Sequence, residues 1–221
     1  MTADGRLRLG VLVSGGGTNL QSILDAVAEK RLDAEVRVVV SNVAGAGGLA
    51  RANAAGVPAV FVDHKAFTSR AEFDARVVEV LSAHDVQWVV LAGFMRIVTG
   101  TLLDAFPLRV VNVHPALLPA FPGVSAQAQA LAYGARIAGC TVHLVDTGTD
   151  TGPILAQAAV PVLEGDDEAA LRARILLQEH ALLPAVLQWI AEGRVRIERQ
   201  EGGARPRVSV TGAPTAWGVA P

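Results

Sequence analysis

Cysteine is almost absent from this chain. The single one, Cys140, excludes an internal disulfide and any metal site built from a cysteine cluster. Lysine is nearly as scarce. Lys30 and Lys65 do not follow glycine, so the chain lacks the Gly-Lys-Ser/Thr element of a phosphate-binding P-loop. No apolar run approaches the ~20 residues that span a bilayer, and the best, Trp88 to Phe94, is short and contains Gly93. Met1 to Leu12 lacks the basic start, apolar centre and small cleavage site of a signal peptide. Charge of one sign is not concentrated either: 19 basic residues stand against 21 acidic ones, for a formal net charge of -2. Nucleic-acid binding leans on clustered Lys and Arg, so a nucleic-acid partner is not expected. These absences predict a cytoplasmic protein without a membrane or a cysteine-cluster metal site.

What is present is apolar. Of 221 residues 51% are hydrophobic and 18% charged, enough for one large domain with a sizeable core. Short β-rich runs (Leu9 to Val13, Val36 to Val40, Ala59 to Val62, Trp88 to Leu91, Val110 to Val113) alternate with helical patterns such as Leu20 to Ala28 and Ser69 to Ala83. Continuous valine runs fit strands buried on both faces. The fold class is therefore α/β: a Rossmann-like, mostly parallel twisted sheet with helices on both faces. After residue 114 a proline-rich loop leads to a helix near Gln127 to Tyr133, two β-like runs and a helix opening at Asp166–Asp167, which Pro184 should kink or divide.

Ser14-Gly-Gly-Gly-Thr-Asn19 follows the first strand and opens a helix. Its glycines let a ligand approach the backbone, and a helix N-terminus favours an anion. A dinucleotide fingerprint would need Gly or Ala where Leu20 stands and an acidic residue ~20 positions on, where Ser41–Asn42 ends the second strand instead. The pattern points to a cradle for a phosphate monoester; a tight ligand-free turn would use the same glycines.

Asn112 and His114 end a strand two residues apart, so both point to one face. Asn offers NH₂ donors for a developing oxyanion, and His titrates near neutrality. A hydrogen-bonded structural histidine would look the same. Asp146 to Pro153 is a polar loop that either makes a turn or delivers Asp150 to His114.

Four motifs occur in order: Ser14 to Asn19, Leu91-Ala-Gly-Phe-Met-Arg-Ile97, Asn112-Val-His-Pro-Ala-Leu-Leu-Pro119 and Asp150-Thr-Gly-Pro153. From about Leu9 to Arg196 the chain resembles the glycinamide ribonucleotide transformylases, the folate-dependent formyltransferases of purine synthesis. The resemblance implies the formyltransferase fold, and transfer of a formyl group from 10-formyltetrahydrofolate to glycinamide ribonucleotide without a metal. It implies that Asn112, His114 and Asp150 are catalytic and that Gly17, Thr18, Asn19 and Glu179 bind the ribonucleotide. Arg70, Met95, Arg96, Ile97, Val98 and Asn112 would bind the folate.

A catalytic domain would then cover 1–198, with a phosphate-binding half of about 1–106 and a folate and catalytic half of about 107–198. Residues 199–221 are expected to form a tail, surface-laid or partly mobile, and a monomer or homodimer is expected. One stretch departs from the pattern: Val124-Ser-Ala-Gln-Ala128 stands where family members often carry histidine and arginine, predicting weaker substrate contacts. Among the other candidates, Cys140 is expected to be a buried strand residue, and His64 and His84 surface residues. The direction of His143 on its strand is open, so it either lines the active site or is structural, and the aromatics Trp88, Phe94 and Phe106 are expected in the core. The competing functions are a formyltetrahydrofolate hydrolase, a sugar-nucleotide or methionyl-tRNA formyltransferase, and a non-catalytic nucleotide binder. The tRNA enzyme and the hydrolase would each be expected to carry a further domain.

Overall fold

The computed structural model describes residues 5–198 and 206–212. Two compact units divide the chain, Met1–Asn112 and Val113–Pro221.

The first unit is built on strands β1 (Leu7–Val13), β2 (Ala34–Ser41), β3 (Ala59–Phe61), β4 (Trp88–Leu91) and β5 (Val110–His114), with the last two residues of β5 belonging to the second unit. Helices α1 (Thr18–Ala28), α2 (Gly47–Ala54), α3 (Arg70–Ala83) and α4 (Gly100–Ala105) connect them. The order is β3-β2-β1-β4-β5, and each neighbouring pair is parallel. The valine runs explain the register. Val11 lies opposite Val39 on one side and Val90 on the other, and Val90 opposite Val111. All four are fully buried. Burial on both faces removes the polar alternation that one-sided strands show.

Helix α1 buries Leu20, Ile23 and Leu24, the three- and four-residue spacing of one helical face. Ser69 caps α3 by accepting a hydrogen bond from the Glu72 N–H, fixing where that helix begins. The chain builds outward from β1 to β2 and β3, then returns to the other side of β1 for β4. That reversal makes the β1 and β4 carboxyl ends a topological switch point, where open α/β sheets bind ligands.

In the second unit the order is β5-β6-β7, with β6 (Ile137–Leu144) antiparallel to β7 (Ile154–Pro161). The register shifts between Val142 and His143, an irregularity of the kind that re-aims side chains beside functional sites. Helix α5 (Ala126–Tyr133) follows the proline-rich loop, and α6 (Glu168–Ala191) follows β7. Asp167 caps α6 through the Ala170 N–H. Pro184 does not divide this helix. Its neighbours Leu182, Leu183, Val186 and Leu187 are all fully buried, and that packing outweighs the one backbone hydrogen bond proline forgoes. A two-stranded antiparallel sheet of β8 (Val195–Glu198) and β9 (Arg207–Val210) closes the described chain. Most of the expected tail, 199–205 and 213–221, lies outside the described residues.

Candidate active site

The first unit holds the glycine loop and the segment after β4. Gly17 caps α1 at φ 73°, a left-handed conformation. A Cβ there would stand 2.5 Å from the Gly48 Cα, so glycine is required both by the backbone and by the start of α2. Gly15 and Gly16 are exposed, as is Thr18, while Asn19 is buried. Arg51 donates from Nε to the Gly16 carbonyl at 2.8 Å and from Nη1 to Gln21, tying the loop to both helices. The Ser14 hydroxyl donates to Asn42 Oδ1 at 2.6 Å and accepts from the Met95 N–H at 2.8 Å. One serine thus joins the glycine loop to the Met95–Val98 segment. In that segment Met95 and Ile97 are exposed and Val98 is buried. The Arg96 guanidinium lies 4.9 Å from the Phe73 ring centroid, a cation–π distance. Arg70, the first residue of α3, is exposed.

The second unit assembles a histidine–aspartate cluster. His114 leaves the end of β5 only 4% exposed. Its Nε2 is 2.9 Å from the Phe121 carbonyl oxygen and its Nδ1 is 3.3 Å from Asp150 Oδ2. Both ring nitrogens face oxygen acceptors, which an imidazolium satisfies in full and a neutral ring only in half. Asp150 reaches this position from a left-handed backbone at φ 55°, tolerated by aspartate. Gly152 must be glycine, because a Cβ would stand 1.7 Å from the Leu144 carbonyl oxygen.

Asp150 Oδ2 also accepts from the Gly123 N–H at 2.8 Å, and Oδ1 faces His143 Nε2 at 3.6 Å. His143 Nδ1 in turn lies 2.8 Å from the Leu144 carbonyl. Burial pushes the Asp150 carboxyl up, but the His143 hydrogen bond, the Gly123 N–H and the charges of His114 and His143 outweigh it. The net result is a pKa below the ordinary 3.8, and an ionised carboxylate at neutral pH. Behind the cluster, the Thr141 hydroxyl donates to the Ala116 carbonyl and accepts from the Leu118 N–H, fixing the proline-rich loop on β6.

Asn112 is half-buried two residues before His114 on β5, and strand geometry sends both side chains to one face. Glu179 is buried on α6. Burial, and then the Glu179 charge, hold the Cys140 thiol at about 12, so Cys140 is an inert thiol on a buried strand.

His143, open between the active site and a structural role, faces the candidate catalytic carboxylate at 3.6 Å, directly after the register irregularity in β6. Two expectations change. His64 and His84 are half-buried rather than on the surface, with Nδ1 atoms 3.1 Å from the Asn42 carbonyl and 2.8 Å from the Val80 carbonyl. Trp88 is half-buried, whereas Phe94 and Phe106 are buried as expected. In the departing stretch Ser125 is exposed at φ 56° and makes no capping bond to α5, while Gln127 is buried. Among the described residues no group of three or more His, Cys, Asp or Glu could hold a metal ion, and no helix is long and apolar enough to cross a membrane.

Residues 7–187 match the formyl transferase family model. The chain belongs to the formyl transferase family. This formyl transferase is 42% identical to the phosphoribosylglycinamide formyltransferase of Escherichia coli strain K12 over 85% of its own length and 88% of that protein. It is 42% identical to the human trifunctional purine biosynthetic protein adenosine-3 across 87% of this chain. It spans 14% of the length of the trifunctional protein of Drosophila pseudoobscura pseudoobscura and 19% of the human one. Its fold superposes on the glycinamide ribonucleotide transformylase 1 of Symbiobacterium toebii with a TM-score of 0.88 and 52% identity, covering 93% of this chain and 94% of that one.

Proposed function

We propose that this formyl transferase moves a formyl group from 10-formyltetrahydrofolate to the amine of glycinamide ribonucleotide, in the purine biosynthesis named for its relatives, in the cytoplasm. The observation that carries this reading is the pairing of buried His114, at the end of β5 two residues from Asn112, with half-buried Asp150. An imidazolium beside a carboxylate and an amide donor is the equipment that amide-forming acyl transfer needs.

The attacking amine forms a bond to the formyl carbon, and the carbonyl oxygen becomes an oxyanion. Asn112 donates to that oxygen. His114 donates from Nε2, exchanging the Phe121 carbonyl for the oxyanion, and each such donor lowers the barrier by about 3–4 kcal/mol. Asp150 supports the imidazolium charge through Nδ1. Collapse of the intermediate breaks the bond to the folate nitrogen, which leaves with a proton; the amine gives up a proton directly or through water. Chemistry of this kind is complete without a metal or a covalent enzyme intermediate.

Gly17, Thr18 and Asn19 bind the ribonucleotide phosphate through a helix N-terminus. Glu179, a buried acid, pairs with the glycinamide end. Arg70, Met95, Arg96, Ile97, Val98 and Asn112 bind the folate. The chain acts as a monomer or homodimer on small molecules. With Ser125, Gln127 and Ala128 in place of larger basic groups, ribonucleotide binding rests more heavily on the glycine loop.

The test is donor consumption by the purified chain with and without glycinamide ribonucleotide. Amine-dependent loss of 10-formyltetrahydrofolate is expected. Loss without the amine would mean a hydrolase, and ribonucleotide binding without turnover a non-catalytic binder.

A further inference from the structure

The Met95–Val98 segment is a short loop that exposes Met95 and Ile97 while Val98 is buried, and its two ends are fixed. Met95 is 73% exposed and Ile97 53%, so packing does not hold them. At the start of the segment the Met95 N–H donates to the Ser14 hydroxyl at 2.8 Å, and the Ser14 N–H donates to the Gly93 carbonyl at 3.0 Å. At its end, the Thr99 N–H and hydroxyl both donate to a single oxygen of Asp74, at 2.5 Å and 2.7 Å. Between the two, Arg96 is laid on Phe73, which itself stacks on Phe94 with centroids 6.4 Å apart.

Asp74 is unusual for its position. It lies on α3 only 2% exposed, among the buried apolar residues Phe73 and Val77. Burying a carboxylate is costly unless hydrogen bonds and counter-charge repay it. Burial pushes its pKa up, against the two Thr99 hydrogen bonds and the positive charges of Arg96 and Arg70. A helix position that only needed to pack would carry an apolar residue. The groups this acid serves are those that end the segment and the two arginines flanking it.

We infer that Asp74, acting through Thr99, is a positioning residue that pre-forms the Met95–Val98 segment as a binding rim for the formyl donor. The inference rests on the proposal that this segment binds folate. Its content is energetic. A backbone held in one conformation before binding does not lose conformational freedom when the ligand arrives, so the clamp contributes to donor affinity without touching the donor.

The experiment compares Thr99→Val, Thr99→Ser and Asp74→Asn with the unaltered chain in steady-state kinetics, with each substrate varied in turn, together with equilibrium binding of tetrahydrofolate and thermal melting. Thr99→Val loses one of the two hydrogen bonds and should raise the KM for 10-formyltetrahydrofolate by about three- to tenfold. Asp74→Asn also loses the charge and should raise it by about tenfold or more. The KM for the ribonucleotide should stay within about twofold, and Thr99→Ser should restore the donor value. Should Asp74→Asn fail to fold, Thr99→Val and its serine rescue decide the matter. An unchanged donor KM in folded variants would overturn the inference, as would equal increases for both substrates, the mark of a merely structural role. If the unaltered chain transfers no formyl group, the functional reading fails, and weakening of tetrahydrofolate binding in Thr99→Val still tests the clamp. If it neither transfers a formyl group nor binds tetrahydrofolate, both are overturned.

Discussion

Asp150→Asn separates charge from shape at the centre of the site. Both the Gly123 N–H at 2.8 Å and His114 Nδ1 at 3.3 Å need an acceptor at the position of Oδ2, so the new amide oxygen belongs there. Its NH₂ then faces His143 Nε2, which can accept while the Nδ1–H donates to the Leu144 carbonyl at 2.8 Å. The cluster keeps its hydrogen bonds and loses the counter-charge of His114. At the 3.3 Å separation a unit pair is worth about 5 kcal/mol at an effective dielectric of ~20. Hydrogen bonds to charged groups contribute about 1.5–3 kcal/mol net. A loss of about 2–4 kcal/mol at 1.36 kcal/mol per decade predicts a roughly 30- to 1000-fold fall in kcat. The assay is steady-state kcat with saturating substrates, paired with calorimetric titration of the ribonucleotide, whose Kd should change by less than about twofold because the glycine loop is untouched. A folded variant with kcat within about threefold of the parent would refute the role given to Asp150.

Three further substitutions test other parts of the structure. Gly17→Ala places a Cβ 2.5 Å from the Gly48 Cα at φ 73°, so it should lower the melting temperature and abolish measurable ribonucleotide binding by calorimetry. Leu182→Ala empties a fully buried position on α6 and should destabilise the chain by about 2–5 kcal/mol in denaturant unfolding. Asp166 is held at about 2 by hydrogen bonds from Arg174 and then the Leu163 N–H. A carboxyl depressed in the folded state stabilises fully above its ordinary 3.8 and loses that contribution as pH falls towards 2. Melting of Asp166→Asn should therefore show a flatter decline between about pH 4 and 2 than the parent; identical slopes would contradict the assignment.

The valine runs made the parallel sheet legible, because burial on both faces leaves a pattern in one strand's own residues. Gly17 was legible for a similar reason: a turn from strand to helix uses glycine locally. Asn112 and His114 could be paired because strand period alone brings them to one face. The partnership of His114 with Asp150 spans 36 positions, and nothing in either stretch encodes the distance; family resemblance supplied the link. The direction of His143 is not legible in its own strand, because the register shifts there between β6 and β7, a property of two strands rather than one. Asp74 reads as an ordinary polar residue on an amphipathic helix, and only its burial against Thr99 exposes the clamp. Pro184 shows the converse: its local signal to divide the helix is overridden by the apolar surface packed around it.

The central claim is that the formyl carbon passes from the folate to the ribonucleotide amine. The most direct measurement supplies 10-formyltetrahydrofolate labelled with ¹³C in the formyl group and follows that carbon by NMR during turnover with glycinamide ribonucleotide. The label is expected as a formamide on the ribonucleotide, in step with release of tetrahydrofolate. Label appearing as free formate, with the ribonucleotide unchanged, would contradict it.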